Sequence, residues 1–231
     1  MIIFFLPYAG GSETIYRDWD SGKEDMVFVP LSLPGRGSRF HEPLLTTIED
    51  MVADLVHQMS QRLQEGESYS LFGHSMGAML SYEIVRSAPS FQFPVPVHIF
   101  LSGCEPPHYQ RKLFLSDKDD DQIIALLTRL GSIPKVLQSE TALLQMLLPI
   151  LKTDYAMVES WSGHYANTVS VPITTLAGDC DDVAIQDFIR KWSLYTTLNH
   201  SHYQYQGNHF FLEMNRGEII KMIVDTLLSH S

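Results

Sequence analysis

Short apolar runs alternate along this chain with stretches in which apolar residues recur every three or four positions. That is the pattern of a mostly parallel sheet with helices on its faces. Residues 2–6 and 26–31 read as buried strands. The clearest helix spans 46–63, where Ile48, Met51, Val52, Leu55, Val56, Met59 and Leu63 share one face. Thr46 with Glu49 supplies a capping box at its start. Residues 69–72 are a strand, 76–88 a helix closed by Pro89, and 97–102 and 171–177 two further strands. Residues 182–192 read as a helix with Asp182 as its N-cap, 203–206 as a short strand and 218–228 as a closing helix.

Between 103 and 170 the strand rhythm stops. Residues 119–130, 140–151 and 153–161 are all helix-like, with no strand between them. Such a block is either a helical elaboration or a lid over the C-terminal edge of the sheet, where ligands bind in open α/β folds. No repeat, low-complexity tract or linker interrupts the sequence. The expectation is a single α/β domain over 1–231 with a helical insertion at about 107–165.

Composition narrows the partners. Sixteen Lys and Arg against 27 Asp and Glu give a formal net charge of −11, which argues against nucleic acid or an anionic membrane as the main partner. The two cysteines, Cys104 and Cys180, fit neither a disulfide framework nor a zinc site and suit a reducing compartment as free thiols. The N-terminus has no basic region before its short apolar run, and no stretch approaches the roughly 18 apolar residues of a membrane span. A cytoplasmic protein is expected.

Gly73-His74-Ser75-Met76-Gly77 carries the chemistry. A G-x-S-x-G pentapeptide between a strand and a helix has the context of a nucleophile elbow, with Ser75 presented at a helix N-terminus. The serine needs a base and an acid, in chain order acid then histidine. His209 follows the last short strand and precedes the closing helix, which puts it at the sheet's C-terminal edge. His200 and His202 sit toward the opposite edge, and His74 is a packing residue. For the acid, Asp179, Asp181 and Asp182 crowd the loop after strand 171–177, and spacing alone leaves Asp179 and Asp181 open. The N–H of Met76 is the expected first oxyanion donor, and the loop Pro7-Tyr8-Ala9-Gly10-Gly11-Ser12 should supply the second.

Together these pieces resemble the type II thioesterases, stand-alone α/β-hydrolases that work beside non-ribosomal peptide and polyketide synthases. Leu6-Pro7-Tyr8-Ala9-Gly10-Gly11-Ser12 is similar to the family's opening F-P-Y-A-G-G-S. Leu33-Pro34-Gly35-Arg36-Gly37-Ser38-Arg39 with Glu42-Pro43 resembles its L-P-G-R-x-x-R-x-x-E-P. Leu101-Ser102-Gly103 with Pro106-Pro107, Pro149-Ile150-Leu151-Lys152-Thr153-Asp154 and Gly207-Asn208-His209-Phe210-Phe211 match further stretches in order. Lys152 departs from the family's arginine.

The resemblance implies a G-x-x-D acid, which selects Asp181, and an Ala9 N–H as second oxyanion donor. It also implies a thioesterase acting through Ser75, Asp181 and His209 on acyl groups carried by the phosphopantetheine arm of a carrier protein. No metal or organic cofactor is expected, the chain is expected to be a monomer, and the helical insertion becomes a lid. An esterase on free small esters and a silent carrier-docking module are the competing readings. Because carrier proteins are commonly acidic, Arg36, Arg39, Arg111 and Lys112 are the expected docking cations.

Overall fold

The computed structural model describes residues 1–108, 115, 118–129, 133, 140–162 and 168–229. Its centre is a six-stranded sheet, β1 (Ile2–Leu6), β2 (Val27–Pro30), β3 (Tyr69–His74), β4 (His98–Ser102), β5 (Ile173–Gly178) and β6 (His200–Tyr205). They lie in the order β2-β1-β3-β4-β5-β6, and every pair is parallel. All strands therefore deliver their C-terminal loops to one edge.

Side chains alternate across the sheet with the period of two that a strand imposes. Phe4 and Leu6 bury against α1 (Ile48–Ser60) and α2 (Met76–Ser87), whereas Ile3 and Phe5 bury against α6 (Arg216–Leu228) on the other face. β1 and β3 are buried at every position, as sheet interiors covered on both faces must be. β6 is an edge strand reading His-Ser-His-Tyr-Gln-Tyr, mostly solvent-facing, and it begins three residues before the expected one. A half-exposed edge carries no apolar run for a pattern to catch.

Three local expectations shift. The cap of α1 is Thr47, whose Oγ1 accepts the Asp50 N–H at 3.1 Å, so the capping pair lies one residue beyond Thr46 and Glu49. The two helices expected over 140–151 and 153–161 are one, α4 (Thr141–Ser160), with Pro149 inside it. Leu144, Leu148 and Leu151 keep an unbroken stripe against α3 (Asp120–Arg129), and that packing carries the helix through the proline. The helix expected over 182–192 shrinks to α5 (Gln186–Ile189) and a following 3-10 turn, with Ile185 rather than Asp182 at its cap. The physical reason lies in the site.

No helix among the described residues is long and apolar enough to cross a membrane.

Candidate active site

The loops after β1, β3, β4, β5 and β6 meet at the C-terminal edge of the sheet. Ser75 follows β3 directly and has φ +54° and ψ −115°, a conformation that L-residues rarely adopt. Its N–H donates to Ser102 O at 2.8 Å, which ties the elbow to the end of β4. The flanking glycines make the turn sterically feasible. A Cβ on Gly73 would stand 2.1 Å from Gly77 O, and one on Gly77 would stand 2.2 Å from Leu6 O. Ser75 thus sits at the N-terminus of α2, where the helix dipole favours negative charge.

His209 and Asp181 are in direct contact, Nδ1 to Oδ2 at 2.8 Å. The His209 side chain is 6% exposed and that of Asp181 is 1% exposed. The second oxygen of Asp181 accepts the N–H groups of Val183 and Ala184 at 2.8 and 2.9 Å. Burial by itself would raise this carboxyl, but His209 and the two N–H groups outweigh it and hold it below the usual carboxylate range. These bonds also explain the short α5. Asp181 takes two of the N–H groups on which a helix would open, and Glu105 Oε1 takes a third, from Ile185 at 2.8 Å.

The three aspartates therefore have different surroundings. Asp181 faces His209, Asp179 accepts the Gly207 N–H at 2.8 Å from an exposed position, and Asp182 lines the cavity beside Ser75. That cavity is bounded by Ala9, Ser75, Met76, Cys104, Tyr155 and Val158. Among the described residues no acceptor within the chain engages the N–H of Ala9 or Met76, and Ser75 Oγ makes no hydrogen bond to His209. Both backbone donors border the space next to the serine.

His74 is fully buried and packs against His209, ring centroids 5.0 Å apart, with Nδ1 2.9 Å from Ser102 Oγ. Gly103, at φ +58°, makes room for it: a Cβ there would stand 2.6 Å from His74 Cε1 and 3.2 Å from His209 Cε1. Burial first, and the charge His209 can carry second, push His74 down to about 3. The sign of the linkage follows. Below its unfolded value near 6.5, the unfolded chain binds a proton that the folded chain refuses, so stability falls as pH falls from about 6.5 toward 3. At pH 5 this amounts to about 2 kcal/mol. The urea midpoint should drop between pH 7 and pH 5 and should drop less in His74→Gln; equal drops would contradict the assignment.

His200 and His202 lie in the first half of β6, both bonded to Thr175 Oγ1, far along the strand from the site edge. Cys104 is buried and Cys180 exposed, and both are free thiols. Two expected docking cations are already committed. Arg36 is 3% exposed and paired with Asp154, and Arg39 is bound by Glu42 and Asp54. Their guanidinium groups match carboxylates within the chain, which spacing could not reveal. Arg111 and Lys112 lie outside the described residues. Lys152, where the family has arginine, makes an exposed pair with Asp120. Gly103, Asp154 and Arg36 stand in the motifs, but the positive φ of Gly103 and the pairing of a buried Asp154 with Arg36 are visible only in three dimensions.

The chain matches the family model described as Thioesterase domain over residues 1–227. Linear gramicidin dehydrogenase LgrE of Brevibacillus parabrevis is 30% identical over 235 residues, covering 100% of this chain and 89% of that protein. ClbQ from the colibactin NRPS/PKS pathway superposes with a TM-score of 0.91 at 29% identity, covering 99% of this chain and 97% of that one. YbtT, a type II thioesterase from the yersiniabactin NRPS/PKS pathway, gives 0.86 at 25% identity, covering 97% and 91%. A family match across nearly the whole chain, on this sheet and with these neighbours, leaves one conclusion: the chain belongs to the thioesterase family, among the type II thioesterases of the α/β-hydrolase fold, and is a hydrolase of thioesters.

Proposed function

We propose that this thioesterase hydrolyses acyl groups from the phosphopantetheine arm of carrier proteins, in editing or release, through Ser75, His209 and Asp181. The observation that carries the reading is the 2.8 Å contact between His209 and an Asp181 fixed by two backbone N–H groups, at the edge that presents Ser75. His209 Nε2 takes the Ser75 Oγ proton as Oγ attacks the thioester carbonyl carbon. The oxyanion forms against the N–H groups of Ala9 and Met76. As the C–S bond breaks, His209 returns the proton to the thiol, leaving an acyl-Ser75 ester. Water then gives a proton to His209 and attacks that ester, and Ser75 Oγ leaves with the proton. Asp181 orients the imidazole and stabilises its cation throughout.

These steps draw only on the chain's own groups and water, so no metal or resident cofactor is called for. The phosphopantetheine arrives with its carrier. In this reading α3 and α4, the described helices of the expected insertion, serve as the lid, and Tyr155, Val158 and Glu159 of α4 line the cavity. The protein acts as a cytoplasmic monomer in this reading.

Three substrates offered side by side test it: an acyl-carrier protein, the matching acyl-CoA and a p-nitrophenyl ester. Cleavage of the carrier-borne acyl group with the highest kcat/KM is the expected result. Turnover of the free ester and acyl-CoA with the carrier untouched would overturn it.

A further inference from the structure

Asp154 is 0% exposed on α4, and two loops of the hydrolase core converge on it. Its Oδ2 accepts the Gly10 N–H at 2.7 Å, and the Arg36 guanidinium forks onto both of its oxygens, with Nη2 to Oδ1 at 2.8 Å. Gly10 follows Ala9, the second oxyanion donor in the reading above, and the inference rests on that reading. The Tyr8–Gly11 turn explains why the contact matters. Gly11 N–H donates to Tyr8 O at 2.9 Å, and Gly10 has φ +78°, the left-handed third position of a type II turn. Tyr8 C=O and Ala9 N–H belong to one planar trans peptide and point in opposite directions. Holding the carbonyl into the turn therefore aims the Ala9 N–H outward.

The next peptide is held from outside the turn, by Asp154. A Cβ on Gly10 would stand 2.5 Å from Leu151 Cδ2, so α4 lies directly on this loop. Stability alone is a poor reason for the arrangement. A buried ion pair can commonly be replaced by apolar residues without loss, but apolar residues cannot accept the Gly10 N–H.

We infer that Asp154, oriented by Arg36, is a positioning residue for the oxyanion hole: it locks the Ala9–Gly10 turn so that the Ala9 N–H faces the cavity beside Ser75. Because Asp154 rides on α4, seating of that helix and readiness of the oxyanion hole are one event. Lifting α4 leaves the Gly10 N–H without its acceptor and the turn without its outer support.

The test compares wild type with Asp154→Asn and with the paired apolar replacement Arg36→Met/Asp154→Leu. Each is measured for kcat and KM on acyl-carrier protein, for thermal midpoint, and for inhibition by an alkyl trifluoromethyl ketone, which places an oxyanion in the hole once the serine adds to it. The paired variant should melt like wild type and keep its KM within about threefold. Its kcat should fall by about 10–100-fold, with ketone affinity weakened to match, a fraction of what losing one donor outright removes. Asp154→Asn keeps an oxygen for the Gly10 N–H and should lose less. A paired variant that melts like wild type with unchanged kcat and ketone affinity would overturn the inference. So would a kcat loss that merely follows the thermal midpoint across the variants. Ser75→Ala is run in parallel: activity there would instead overturn the underlying assignment of the nucleophile.

Discussion

Ser75→Ala should lower kcat/KM on an acyl-carrier protein by about 10⁴-fold or more while leaving the fold intact. The backbone at this position is set by its surroundings, the Ser102 carbonyl and the paired glycines, and not by the hydroxyl. Alanine bears the same penalty as serine at φ +54°, so the thermal midpoint should stay near that of wild type. The Ala9 and Met76 N–H groups and the cavity remain, and in the proposed mechanism they sustain only the residual rate that such sites show without a nucleophile. The neighbouring thiol does not substitute for the hydroxyl. Burial, with Glu105 adding to it, pushes Cys104 up, away from the thiolate that nucleophilic attack requires. Steady-state hydrolysis with circular dichroism on the same samples checks the result.

Asp181→Asn should cost about 10⁴-fold in kcat, whereas Asp179→Asn should stay within a few-fold of wild type. The asparagine would keep an oxygen for the Val183 and Ala184 N–H groups, so the loop should hold its shape. Toward His209, however, it offers an NH₂ donor where the carboxylate accepted. Nδ1 must then become the acceptor and Nε2 must carry the proton, the wrong tautomer for taking one from Ser75. Asp179 accepts from Gly207 and from its neighbour Cys180, whereas the imidazole contact belongs to Asp181. Because Asp181 lies below the ordinary carboxylate range, protonation of this group does not set the acid limb of the pH–rate profile. Comparable losses in the two variants would reverse the assignment.

The elements that position the site were the most legible in the sequence, for a physical reason. β1, β3 and α2 are buried strands and a buried helix whose apolar pattern is dense, and the pentapeptide between β3 and α2 has steric requirements that only glycines meet. The elements that differ from the sequence pattern do so for tertiary reasons at two places. The N–H groups at 183–185 are claimed by Asp181 and Glu105, so no long helix opens there. Pro149 sits within α4 because packing against α3 outweighs the lost backbone bond.

Charge was the least legible property. A net charge of −11 says nothing about which cations are spoken for. Arg36 is claimed by a carboxylate 118 residues away, and Arg39 by Glu42 three residues on and Asp54 fifteen residues on. Among the three aspartates, spacing alone leaves Asp179 and Asp181 open, and it is the resemblance's G-x-x-D pattern that selects Asp181. In the structure the contact with His209, the two backbone N–H groups of Val183 and Ala184 and its buried carboxylate set Asp181 apart from its neighbours.

Labelling with a fluorophosphonate tests the central claim most directly, with the modified residue mapped by mass spectrometry and carrier-thioester hydrolysis followed in the same samples. The predicted result is one label per chain, on Ser75, with hydrolysis falling in proportion to occupancy. Full occupancy of Ser75 with hydrolysis intact would contradict the account.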